Sequence, residues 1–151
     1  MTLNARTICW LASTALSLAG LALATYLSVA HLSGADLACG VDGGCGAVTS
    51  SEYSGFLGIP VALLGVGGYA ALLLGSLAVL GVSQPPTILR WGLAGIAAIG
   101  FVFSAYLTAT QAFLIGSYCI YCLTSASLMT ALMLLTMGAA MISRSTHQSI
   151  S

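Results

Sequence analysis

Uncharged apolar stretches, interrupted only by isolated charges and turn residues, organise this chain. Positions 7–35, 53–89 and 91–143 carry no Asp, Glu, Lys or Arg. A helix crossing a hydrocarbon core of about 30 Å needs about 20 such residues. The first stretch holds one span, at about 8–30. The second holds one at about 59–81, with Pro60 near its entry and Gly81-Val82-Ser83-Gln84-Pro85-Pro86 breaking the chain behind it. The third is long enough for two, at about 90–114 and 119–142, folded back near Gly116-Ser117. The pattern predicts an all-α, four-helix transmembrane bundle with one large exterior loop, 31–58.

Composition strengthens that reading. Of 151 residues, 59% are hydrophobic and 4% are charged, against about 25% charged in soluble domains. Three arginines and no lysine exclude a nucleic-acid surface, which needs clustered positive charge. With four spans, Arg6, Arg90 and Arg144 share one side of the membrane and Asp36, Asp42 and Glu52 share the other. Cytoplasmic segments are enriched in Lys and Arg, so both termini are expected in the cytoplasm and the 31–58 loop in the periplasm or exterior. Ser28-Val29-Ala30 resembles a signal cleavage site, but the apolar stretch exceeds the roughly 7–15 residues of a signal core. Residues 1–151 are read as a single membrane domain with no appended soluble domain.

The cysteines then acquire positions. Cys39 and Cys45 lie in the exterior loop, within CGVDGGC, and Cys119 and Cys122 open the fourth span within YCIYC. Four cysteines from two distant regions therefore share the oxidising side, where disulfides persist. A CxxC pair at a helix start sits beside unpaired N–H groups, which stabilise thiolate, the nucleophile of disulfide exchange. For Cys39 and Cys45, a static staple and a mobile exchanging pair both fit; the glycines of CGVDGGCG favour mobility. Cys9, alone on an apolar span near the opposite face, reads as a small buried hydrophobe. Thr49 and Glu52 have capping-box spacing. They predict a short interfacial helix from near Ser50, with Tyr53, Phe56 and Leu57 on one face. Tyr106, Thr108 and Gln111 on the third span are polar groups that need partners, either a ligand in the bundle or neighbouring helices.

An exterior C-x5-C pair, Ser51 six residues after its second cysteine, Pro60 entering the second span and CxxC opening the fourth together resemble the vitamin K epoxide reductase family, and its bacterial members in particular. The resemblance covers about residues 9–142. It implies a membrane thiol-disulfide oxidoreductase of the inner membrane. In that scheme Cys119 and Cys122 form the active-site disulfide beside a quinone, ubiquinone or menaquinone, which accepts the electrons. Cys45 exchanges with Cys119, and Cys39 takes electrons from a separate periplasmic thioredoxin-like (DsbA-type) protein. Cys122 is the thiolate that reduces the quinone, and Ser51 matches a catalytic Ser/Thr that hydrogen-bonds near the quinone or thiolate. Animal members have a tyrosine four residues after the second CxxC cysteine, where this chain has Ala126; the departure favours quinone reduction over epoxide reduction.

Two other readings compete. Four thiols on one side also suit passage of a soft metal ion such as Hg(II) or Cu(I), although no methionine cluster flanks them and the histidines lie at 31 and 147. The analogous DsbB-type quinone oxidoreductases share the chemistry but carry CxxC in the first exterior segment. Haem attachment fails because Leu123, rather than His, follows Cys122.

Overall fold

A computed structural model describes residues 4–34, 55–56 and 58–148, with side chains described only as far as residue 142 in the last helix. Among the described residues, four helices are long and apolar enough to cross a membrane. They are α1 (Ala5–Ser33), α2 (Val61–Gly81), α3 (Thr87–Thr110, extended by a π-helical turn, Gln111–Ile115) and α4 (Ile120–Gln148). This is a multi-pass membrane protein. The expected spans agree to within about three residues, except that α4 runs beyond the expected end at 142.

Each helix begins or ends where its backbone chemistry requires. Pro60 and Pro86 occupy the N-cap positions of α2 and α3, so each helix begins just beyond a residue that cannot be accommodated in its interior. Gly34 ends α1 in a left-handed conformation, its N–H returning to the Ala30 carbonyl. Most of the interfacial helix expected from Ser50 lies outside the described residues. Where its course re-enters them the chain is extended: Gly55–Phe56 (β1) pairs antiparallel with Ile59–Pro60 (β2) in a two-residue ladder. That hairpin delivers the chain to α2.

In chain order the helices alternate in direction. The CxxC end of the bundle holds the end of α1, the start of α2, the π turn and the start of α4, and Arg90 lies at the far end. α1 packs against both α2 and α4, α4 also packs against α3, and the α2–α3 seam is the slightest of the four. Small residues set the close approaches. Tyr69 lies across Gly20, where a Cβ would collide with its ring, and Leu93 occupies the space beside Gly75 in the same way. In a bilayer this packing, rather than exclusion of water, holds helices together. Hydroxyls inside the spans mostly bond their own helix, as Ser13 does to the Cys9 carbonyl and Thr136 to the Leu132 carbonyl.

Gly20→Val should therefore destabilise the bundle, because the Tyr69 ring must leave its place. Overpacking of this kind costs about 1–3 kcal/mol, read as a lower thermal midpoint in detergent. An unchanged midpoint would show that the α1–α2 contact yields freely.

Candidate functional site

The site grows from the turn that joins α3 to α4. At the end of α3 the helix widens: the Gly116 N–H reaches back five residues to the Gln111 carbonyl at 3.0 Å, the bond pattern of a π turn. Gly116 then adopts φ 67°, a left-handed conformation that glycine tolerates best, and reverses the chain. Cys119 follows as the residue before α4, its carbonyl accepting the Leu123 N–H at 3.0 Å. The first N–H groups of a helix have no partners within it, and in an apolar setting each needs one. The Cys119 N–H donates to Gln111 Oε1 at 3.0 Å. The N–H groups of Cys122 and Tyr121 donate to the Cys119 sulfur, which thus acts as the cap of α4.

That arrangement decides which sulfur ionises first. Hydrogen bonding from the Cys122 thiol lowers the Cys119 pKa, burial opposes the shift, and the Cys122 and Tyr121 N–H groups assist it. The result is about 6, well below the ordinary thiol value of about 8.5. The bonds received by the Cys119 sulfur thus favour its thiolate form.

Cys122 is set apart by what it faces. A cavity of about 600 Å³ lies at this end of the bundle, with walls from all four helices. Cys122 lines it, whereas Cys119 is 0% exposed and packs beneath Ile115 and Tyr121. The walls are mainly apolar, with His31, Tyr69, Ser104, Thr108, Thr110, Gln111 and Ser125 as polar points and no Asp, Glu, Lys or Arg among the described residues. The cavity lies along the slight α2–α3 seam. Gly65 and Gly68 face Ile96, Ile99 and Gly100 there, and nothing stands within 4 Å of where a Gly68 Cβ would be.

Two contacts hold the first turns of α4 against their neighbours. The Tyr69 hydroxyl donates to the Ser125 carbonyl at 2.9 Å and lies 2.9 Å from the Ser125 hydroxyl. Ser125 is one turn beyond Cys122. Tyr26 on α1 packs against Tyr121 with ring centroids 5.6 Å apart.

The residues anticipated from sequence divide cleanly. Cys119 and Cys122 come together at the start of α4, while Cys39, Cys45 and Ser51 lie outside the described residues. Cys9 packs into the core at the far end. Of the polar residues on α3, Tyr106 is exposed on the outer face of the bundle, Thr108 bonds the Ser104 carbonyl, and Gln111 reaches the CxxC turn. Tyr69 and Ser125 went unremarked in the sequence. The only signal available was a tyrosine and a serine inside apolar spans.

Residues 11–137 match the vitamin K epoxide reductase family. The chain belongs to that family. Its members are membrane thiol-disulfide oxidoreductases linked to quinones, and the Cys119–Cys122 pair fits a redox centre of that kind. The soft-metal transport alternative finds no support in the match.

The thiolate assignment predicts that alkylation of Cys119 by iodoacetamide falls off as pH drops through about 6, where the sulfur becomes protonated. Cys122→Ala removes the strongest of its hydrogen bonds and should move the midpoint upward. A wild-type midpoint near 8.5, the unperturbed value, would contradict the capped-thiolate geometry.

Proposed function

We propose that this member reoxidises a separate periplasmic thioredoxin-like (DsbA-type) protein and delivers the electrons to a membrane quinone, supporting disulfide-bond formation. The observation that carries the reading is the division within one helical turn: Cys122 lines the cavity and Cys119 does not. The cavity suits such an acceptor. Its volume falls within the usual 300–1,000 Å³ of ligand sites, its walls match a neutral ring and an isoprenoid tail, and a few polar points are available to carbonyl oxygens.

Electron flow follows from thiol chemistry. Cys45, as thiolate, attacks the Cys119 sulfur of the Cys119–Cys122 disulfide, forming a Cys45–Cys119 bond and releasing Cys122 as thiolate. Cys39 then attacks Cys45, making the Cys39–Cys45 disulfide and expelling Cys119. A lower-pKa thiol leaves faster, so the stabilised thiolate of Cys119 favours this resolving step. The Cys39–Cys45 disulfide in turn oxidises the partner's dithiol by the same exchange. At the other end, Cys119 and Cys122 lose two electrons and two protons as their disulfide reforms. A quinone supplies an acceptor for both electrons and both protons. Ser51, at the head of the loop's last segment, is assigned to hydrogen-bonding near the quinone or Cys122.

The orientation belongs to the same proposal. The inner membrane is the expected location, with the arginine-bearing end and both termini in the cytoplasm and the CxxC end facing the periplasm. Residues 1–151 act as one vitamin K epoxide reductase-like domain. Ala126, in place of the animal tyrosine, favours quinones over epoxides as acceptors.

Quinone reduction by purified protein, driven either by the reduced partner or by dithiothreitol, tests the route. Cys45→Ser should abolish partner-driven turnover and keep dithiothreitol-driven turnover, since a small thiol reaches Cys119–Cys122 directly. Full partner-driven activity in Cys45→Ser would refute the relay. Cys39→Ala should accumulate a Cys45–Cys119 disulfide, visible on non-reducing gels as two fragments that stay joined after cleavage between residues 45 and 119. Fragments that separate, with activity lost, would mean a different pairing.

A further inference from the structure

Gln111 stands where the cavity and the CxxC turn meet. It is 3% exposed, it lines the cavity, and it is the first residue of the π turn. Its carbonyl receives the Gly116 N–H and its side-chain Oε1 receives the Cys119 N–H, so one residue holds both ends of the connecting loop. Because the Cys119 N–H can only donate, the atom opposite it must be the amide oxygen. That leaves the NH₂ group, with two donors, and it bonds to nothing among the described residues.

Three polar neighbours in the cavity are already engaged by their own partners. Thr108 and Thr110 donate to the Ser104 and Tyr106 carbonyls, and Tyr69 is bound to Ser125. The Gln111 amide has its oxygen engaged by the redox turn, and the residue lines the cavity, so its NH₂ is available to a ligand there. We propose that Gln111 is a positioning residue that ties the acceptor to the cysteines: its NH₂ donates to a carbonyl oxygen of the bound quinone while its oxygen holds the Cys119 N–H. This rests on the quinone reading above and adds to it a named recognition group. The amide links the two bonds rigidly, so an acceptor seated on the NH₂ is placed at a fixed offset from Cys122. Ligands of similar shape that lack a carbonyl oxygen are discriminated against, since they leave the donors unpaired.

The test uses full-length protein in detergent, dithiothreitol as reductant and ubiquinone-1 as probe, comparing wild type with Gln111→Met and Gln111→Glu. Methionine keeps the length and removes both hydrogen-bonding arms. Glutamate keeps an oxygen for the Cys119 N–H and removes the amide donors. Both variants should raise KM about tenfold, the scale of one hydrogen bond. Gln111→Met should in addition lower kcat and slow alkylation of Cys119, because the turn loses its anchor; Gln111→Glu should retain more of both. A KM unchanged in the folded Glu variant would overturn the proposal and leave Gln111 a purely structural staple. A wild-type protein that reduces neither ubiquinone-1 nor menadione would instead overturn the quinone reading itself.

Discussion

A helix that starts within a membrane protein must find partners for its first N–H groups, and α4 finds them in the groups that carry the chemistry. Gln111 takes the Cys119 N–H, and the Cys119 sulfur takes those of Tyr121 and Cys122. A cap that is a sulfur becomes, by the same bonds, a stabilised thiolate. The requirement that α4 be capped and the requirement that a thiol be reactive are thus met by one set of contacts. Helical geometry then decides the rest: Cys122, three residues on, turns toward the bundle interior and lines the cavity. The family's oxidoreductase chemistry is organised around that one turn.

The bundle is built unevenly so that this turn has something to face. Close contacts are made where small residues let helices approach, with Gly20 under Tyr69 and Gly75 beside Leu93. Toward the CxxC end the α2–α3 seam relaxes, and packing is replaced by an apolar cavity of about 600 Å³. Tyr69 serves both regimes. Its ring fills the space over Gly20, and its hydroxyl secures Ser125, so the tight part of the core fixes the floor of the cavity. A bundle packed evenly along its length would be more uniform and would leave Cys122 no cavity to line.

The spans were legible because charge is so costly in a bilayer that its absence over positions 7–35, 53–89 and 91–143 nearly dictates the helices. Cys119 and Cys122 were legible because CxxC spacing and a helix start coincide. The π turn was not, since nothing in QAFLI distinguishes it from ordinary helix; it arises from the pairing of Gln111 with Cys119 eight residues later. Gln111 was visible as a polar residue at depth, but its partner was a backbone group on another element. The short helix expected from Ser50 lies mostly outside the described residues; of its course only Gly55–Phe56 are described, and they are extended in a ladder with Ile59–Pro60. Cys39, Cys45 and Ser51 rest on sequence alone.

The account's central claim is that Cys119 and Cys122 by themselves exchange electrons with the quinone, the loop pair serving only to supply them. Anaerobic mixing of the prereduced Cys39→Ser/Cys45→Ser protein with one equivalent of ubiquinone-1 tests it most directly, with quinol and the Cys119–Cys122 disulfide both quantified. One quinol and one disulfide should form together in a single turnover. Quinol that forms only when Cys39 and Cys45 are restored, with Cys119 and Cys122 left as thiols in their absence, would contradict it.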